Sequence, residues 1–261
     1  MMIGGRGIEA TAISCSNAAS ITVRGKDLSR DIMGRFSFSQ YFFLLITGRE
    51  PTADQVFFLD LLLVAIAEHG LVPTNQVARM TFAADPGSLQ GAVAAGILGC
   101  GSVVLGTADE CGKYLQEALR LTERTADRRP ALRKIVEAYR ESGRKIPGFG
   151  HPLHKPLDPR TERILQLADE HRVSGRHVGM ARQTREVVHE LWEQPLTMNV
   201  SMMIAAVLLD LDFPGSGLKS GPILARTARL VAHLAEEGEM PIGFALAGHA
   251  AEAIQYCGEK A

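Results

Sequence analysis

Aromatic residues are scarce in this chain, at 6% of 261 residues, although 46% of the residues are hydrophobic. A core with so few rings must be aliphatic and rich in alanine. That balance favours packed helices over sheets, whose strands draw on β-branched and aromatic side chains. Cysteine is also sparse: Cys15, Cys100, Cys111 and Cys257 are scattered with no CxxC pair. This argues against a disulfide framework or a thiolate zinc site and fits reduced thiols in a cytoplasmic protein. Net charge is almost absent, 28 basic residues standing against 29 acidic ones. No whole-protein basic field exists to hold nucleic acid or an anionic membrane, which leaves room only for a local cationic patch. The most apolar stretch, residues 56–67, is too short to span a bilayer and contains Asp60. The first residues, MMIGGRGIEATAIS, lack the basic start and apolar run of a secretory signal. The expectation is a soluble protein without a membrane partner.

The length suffices for one large domain or two lobes around a cleft. Ser37 is placed to cap a helix through SFSQYFFLLI, and Pro51 to sit in the first turn of another. That second segment, QVFFLDLLLVAIAEH, is apolar nearly all round up to Gly70, as expected of a helix buried against other helices or another subunit. Residues 89–98 form a small-residue helix that permits close backbone packing. Further helices are predicted over 130–142, 161–173, 184–192, 198–211, 222–237 and 243–256, with a break at 213–217. No convincing pair of strands appears, so the predicted class is all-α.

The segment 147–160, PGFGHPLHKPLDPR, is dense in glycine and proline. Gly148 and Gly150 let backbone approach a ligand closely, while Lys155 and Arg160 bring positive charge to the same arc. His151 supplies an imidazole able to act on a bound carbonyl or hydroxyl. Taken alone, these residues fit a glycine-rich turn with an exposed histidine equally well.

GFGHPLHKPLDPRTERI resembles the signature of the citrate synthase family, in which an arginine follows nine residues after the GFGH histidine. Residues 24–52 resemble the family's opening segment and residues 223–237 its closing helix. The resemblance implies a helical, two-lobed homodimer, with a large lobe of residues 1–106 and 213–261 and a small lobe of residues 107–212. It implies an acyl-CoA and a 2-keto acid as partners, the CoA thioester being a substrate, with no metal or redox cofactor. By resemblance, His151 trades a proton with the keto acid's oxygen, and Arg160 and Arg226 grip its carboxylates. His69 matches the histidine beside the keto acid. Ile146, Gly148, Phe149, Gly150 and Pro152 match the turn that wraps CoA, Lys155 a basic position near its phosphates, and Asn199 a pantetheine contact.

Three positions depart from the family pattern. Leu105 stands where the enolising histidine belongs, and Ser201 replaces the aspartate that follows Asn-Val. Ala251 takes the place of a late arginine. A hydroxyl is too weak a base to enolise an acetyl thioester without activation. The His69-Gly70 pair is shared with the citryl-CoA lyases, as is the short chain. The resemblance therefore points to cleavage of a citryl-CoA-type thioester, with His151 as base and Ser201 at the substrate. A divergent acyltransferase and a catalytically dead CoA-binding regulator are the alternatives. His154 is read as solvated, His233 as a packed imidazole, Asp109 and Glu110 as helix-start charges, and Trp192, Met198, Met202 and Met203 as core.

Overall fold

The structure, a computed structural model, describes residues 10–101, 107–123, 125, 127–193 and 196–259. The chain divides into two units, Met1–Asp60 and Leu61–Ala261.

In the first unit three short strands, β1 (Ser14–Ser16), β2 (Ile21–Val23) and β3 (Lys26–Asp27), form an antiparallel meander. These strands correct the expectation of no strand pair. At two or three residues each they are too short to show an alternating pattern. Helix α1 (Phe38–Thr47) begins at the expected cap: Ser37 accepts from the Gln40 amide and the Gln40 side chain accepts from the Ser37 amide. Val23, Ile32 and Leu44 are buried together, and Arg24 reaches the Leu45 carbonyl from Nη2 at 2.6 Å.

Helix α2 (Ala53–Ala67) starts after Pro51 because Thr52 and Gln55 exchange the same reciprocal bonds. It stops before His69: the Glu68 carboxylate takes the amides of His69 and Gly70, at 2.8 and 2.5 Å, and Gly70 has φ +73°. Phe58, Leu59, Leu62 and Ile66 are buried, but Val64 is 76% exposed.

The second unit contains two sets of helices. One comprises α3 (Pro73–Ala84), α4 (Leu89–Leu98), α10 (Ser220–Glu239) and α11 (Gly243–Ala253), packed around Ala78, Ala92, Leu230 and Leu234. The small-residue reading of α4 holds: a Cβ on Gly96 would come within 2.7 Å of Leu230. The other comprises α5 (Thr107–Thr122), α6 (Arg128–Glu141), α7 (Pro159–Glu170), α8 (Arg176–Leu191) and α9 (Val200–Asp210). Met202, Met203, Ala205, Ala206 and Val207 are all buried, so α9 is the central helix of this set. Helix α8 begins well before the predicted residue 184. The Asp210 carboxylate anchors its start, accepting the amides of Gly175, His177 and Val178 at 2.8–2.9 Å and meeting His177 Nδ1 at 2.8 Å. Helices α3 and α5 occupy stretches given no element from sequence. Among the described residues no helix is long and apolar enough to cross a membrane.

Candidate functional site

The segment after α6 folds into the turn that its glycines foretell. The turn is held by backbone pairing to the residues that lead into α9. Gly150 donates to the Thr197 carbonyl at 2.8 Å, Asn199 donates to Gly148 at 2.9 Å, and Phe149 bridges to Met198. Ile146 and Phe149 are buried beneath it, while Pro152 and Lys155 are exposed. The two glycines serve different ends. Gly148 has φ +78°, and a Cβ there would lie 2.7 Å from Met202 Cβ and 2.9 Å from Cys111 Sγ. Gly150 has φ +91°, and a Cβ there would meet nothing within 4 Å. Gly148 is thus required by packing, and Gly150 leaves an open approach to its backbone.

Asn199 caps α9 by accepting the Ser201 amide at 3.0 Å and donates to the Gly150 carbonyl at 3.1 Å. Ser201, in the first turn of α9, lies with its Oγ 2.8 Å from Oγ1 of Thr107 in the first turn of α5. Asp109 and Glu110 follow in that turn of α5 and pair with Lys113, as helix-start charges should. Leu105 lies outside the described residues.

Three imidazoles converge where the turn meets the end of α2. The rings of His151 and His154 stack at 4.4 Å between centroids, and that of His69 stands 5.6 Å from His151 and 5.4 Å from His154. Sequence had His154 as a solvated side chain; its ring is instead a member of the cluster. Nδ1 of His151 accepts the amides of Leu153 and His154, at 3.1 and 2.9 Å. The neutral ring therefore carries its proton on Nε2. Arg160 is clamped by Asp158, donating from Nη2 and Nε at 2.7 and 3.0 Å, and its Nη2 also lies 3.3 Å from His151 Nε2. Asp158 is fully buried and caps α7. Burial works to raise its pKa, but the bonds from Arg160 outweigh this and hold the carboxyl below its usual range.

Arg226, on α10, is close enough to act electrostatically on both His69 and Arg160. Burial lowers the pKa of His69, and the charges of Arg160, His154 and Arg226 add to the effect. Burial and neighbouring His154 likewise lower that of His151. Both rings are neutral at neutral pH. The three histidines offer nitrogens within 4.8 Å of one another, a spacing that can hold a metal ion. Arg226 and Arg160, the latter oriented by Asp158, supply guanidinium donors there, however, and suit an anion better than a cation.

One group went unnoticed in the sequence. Arg229 sits on α10 one turn after Arg226 and is only 3% exposed. It was detectable as a charge on the buried stripe of an amphipathic helix. His233, on the same helix, is a packed and satisfied imidazole as expected, meeting Asn75, Arg79 and Glu68 at 2.7–3.0 Å.

Residues 8–242 match the family model described as citrate synthase, C-terminal domain. A putative citrate synthase 2 of Mycobacterium tuberculosis is 28% identical over 72% of this chain and 49% of its own length. The citrate/2-methylcitrate synthase of Bacillus subtilis is 27% identical over 77% of this chain and 52% of its own. The chain thus spans about half the length of the curated relatives it matches. Among solved structures, the citryl-CoA lyase of Hydrogenobacter thermophilus superposes with a TM-score of 0.85 at 28% identity, covering 98% of this chain and 96% of that one. The ATP citrate lyase of Methanothrix soehngenii, solved with citrate and coenzyme A, matches in fold with a TM-score of 0.81 at 22% identity, over 99% of this chain and 43% of that one.

Proposed function

The chain belongs to the citrate synthase family, and on that premise we propose that it cleaves a citryl-CoA-type thioester to acetyl-CoA and oxaloacetate, or a closely similar keto acid. The observation that carries this reading is the convergence of His69, His151, Arg160 and Arg226 beside a glycine turn with open backbone. Likeness in fold and sequence to the citryl-CoA lyase of Hydrogenobacter thermophilus supports cleavage over synthesis.

In this proposal CoA lies along residues 146–155, over Gly150 and towards Lys155, and the acid end enters among the arginines. Arg160 is held ready by Asp158 and needs no rearrangement to meet a carboxylate. His151 presents Nε2–H to the oxygen that becomes the keto group. No hydrogen bond engages a ring nitrogen of His69 among the described residues, and the ring is neutral, so it can accept the hydroxyl proton. This revises the role expected of His151 as the base. The C–C bond then breaks, leaving its electron pair as the thioester enolate, and protonation of that enolate carbon yields the acetyl thioester. The Ser201 and Thr107 hydroxyls, each in the first turn of a helix, would face the enolate oxygen. We further propose that α5–α9 form the small lobe and the other helices of the second unit belong to the large lobe. A homodimer would cover exposed apolar residues such as Val64, Leu98 and Phe244.

The test is incubation with citryl-CoA, following acetyl-CoA and oxaloacetate separately. Release of both at equal rates supports cleavage; CoA binding without either product supports a regulatory role.

A further inference from the structure

Arg229 is a buried cation with no anion to match it. Its Nη2 donates to the Thr74 hydroxyl at 2.7 Å, but Nε and Nη1 are buried with no hydrogen-bond partner, and so is Nη1 of Arg226. Among the described residues neither guanidinium has an ion pair. The acid that acts on both is Glu68, whose carboxylate is already engaged by the amides of His69 and Gly70 and by His233. Burial pushes the Arg229 pKa down to about 10, and the neighbouring charge of Arg226 adds to this. An uncompensated buried charge is among the costlier features a fold can retain. Arg226, half-buried and also without an ion pair among the described residues, lies one helical turn away beside a cluster that suits an anion, and the pair describes a site whose missing half is negative.

We infer that Arg229 and Arg226 together form a seat for a carboxylate of the substrate, distinct from the carboxylate that meets Arg160, so that Arg229 selects a 2-oxo acid with two carboxylates over one with a single carboxylate. The inference rests on the proposed keto acid site and adds a determinant of specificity to it. Arg160 receives one carboxylate at the His151 end. The second reaches Arg226, which is partly exposed, and the field of Arg229 behind it raises the attraction for negative charge at that end only. A monocarboxylic acid satisfies Arg160 and leaves the α10 pair unpaired.

The experiment measures oxaloacetate and pyruvate binding by calorimetry, without CoA, to the full chain and to Arg229→Met. The unmodified protein is expected to bind oxaloacetate more tightly. Arg229→Met is expected to weaken oxaloacetate by about 10-fold, the scale of one charge acting from behind the contact in a partly buried site, and to leave pyruvate nearly unchanged. It is also expected to raise the Tm of the ligand-free protein, because an unpaired buried charge is gone. Equal binding of the two acids by the unmodified protein would overturn the inference, and so would an equal loss for both acids in the variant. A lowered Tm with unchanged oxaloacetate affinity would make Arg229 a strut for Thr74 and overturn it too. If Arg229→Met does not fold, Arg229→Gln, polar but uncharged, is read by the same outcomes. Because no turnover is involved, a dicarboxylate preference without citryl-CoA cleavage would sink the proposed reaction and leave the seat standing. Cleavage without the preference would do the reverse.

Discussion

Nη2 of Arg160 stands 3.3 Å from Nε2 of His151, although the backbone amides held at Nδ1 put the imidazole proton on that same nitrogen. Two donors therefore point into one space, and the strongest remedy is an oxygen placed between them. A keto or hydroxyl oxygen next to a carboxylate answers both: the carboxylate takes the guanidinium and the oxygen takes the imidazole.

His151→Ala is accordingly expected to abolish C–C cleavage, with a loss of about 10²–10⁴-fold, while CoA affinity measured by calorimetry persists. Activity unaffected by this change would remove the mechanism.

The depressed pKa values of His69 and His151 set a pH dependence. Each ring binds its proton less tightly in the folded chain than at the unfolded value of about 6.5. Their share of stability is complete above that pH and is lost as pH falls below it through the folded values. A dicarboxylate bound beside the rings favours their charged form, so binding near pH 6.5 should take up protons. Calorimetry in buffers of different ionisation enthalpy measures that uptake; proton release would contradict the site's charge arrangement.

The two glycines of the turn should separate under mutation. Gly148→Ala drives a Cβ into Met202 and Cys111 and is expected to cost about 1–3 kcal/mol. Gly150→Ala meets no atom and carries mainly the penalty of its positive φ, about 1–2 kcal/mol. Its larger effect should be on CoA affinity. Chemical denaturation and CoA titration of both variants decide the matter; unchanged CoA binding by Gly150→Ala would refute the turn's assignment.

Citrate formation from acetyl-CoA and oxaloacetate should be weak or absent, because Ser201 pairs with Thr107 and offers no carboxylate to enolise the thioester. Ser201→Asp should shift the balance toward enolisation, read as faster exchange of the acetyl protons with solvent. Robust citrate synthesis by the unmodified chain would show that another group does this work.

Asp210→Ala tests the fold away from the site. It leaves three amides at the start of α8 and His177 without their acceptor, and should cost about 3–5 kcal/mol. An unchanged denaturation midpoint would show that the anchor is dispensable.

Much of this was legible in the sequence where a local rule decided the outcome. Ser37 and its capping partner, the small residues of α4 and the glycine turn all follow from rules spanning a few residues. So does the Asp109–Glu110 start of α5, although that helix itself was not foreseen. What escaped depends on contacts between distant segments. The His151–His154 stack needs the turn to fold back, the extension of α8 needs Asp210 from another helix, and the lack of an ion pair at Arg229 shows only once the residues around it are in place.

The backbone pairing of residues 148–150 with 197–199 carries a mechanical consequence. It joins the turn offered to CoA and the first turn of α9, with Asn199 and Ser201, into one stapled piece whose parts lie about fifty residues apart in sequence. A thioester threaded along it would have its handle and its reacting end measured by the same ruler. A change that loosens Asn199 would then blur where the acyl carbon lands as well as how firmly CoA is held, and affinity and positional accuracy would decline together.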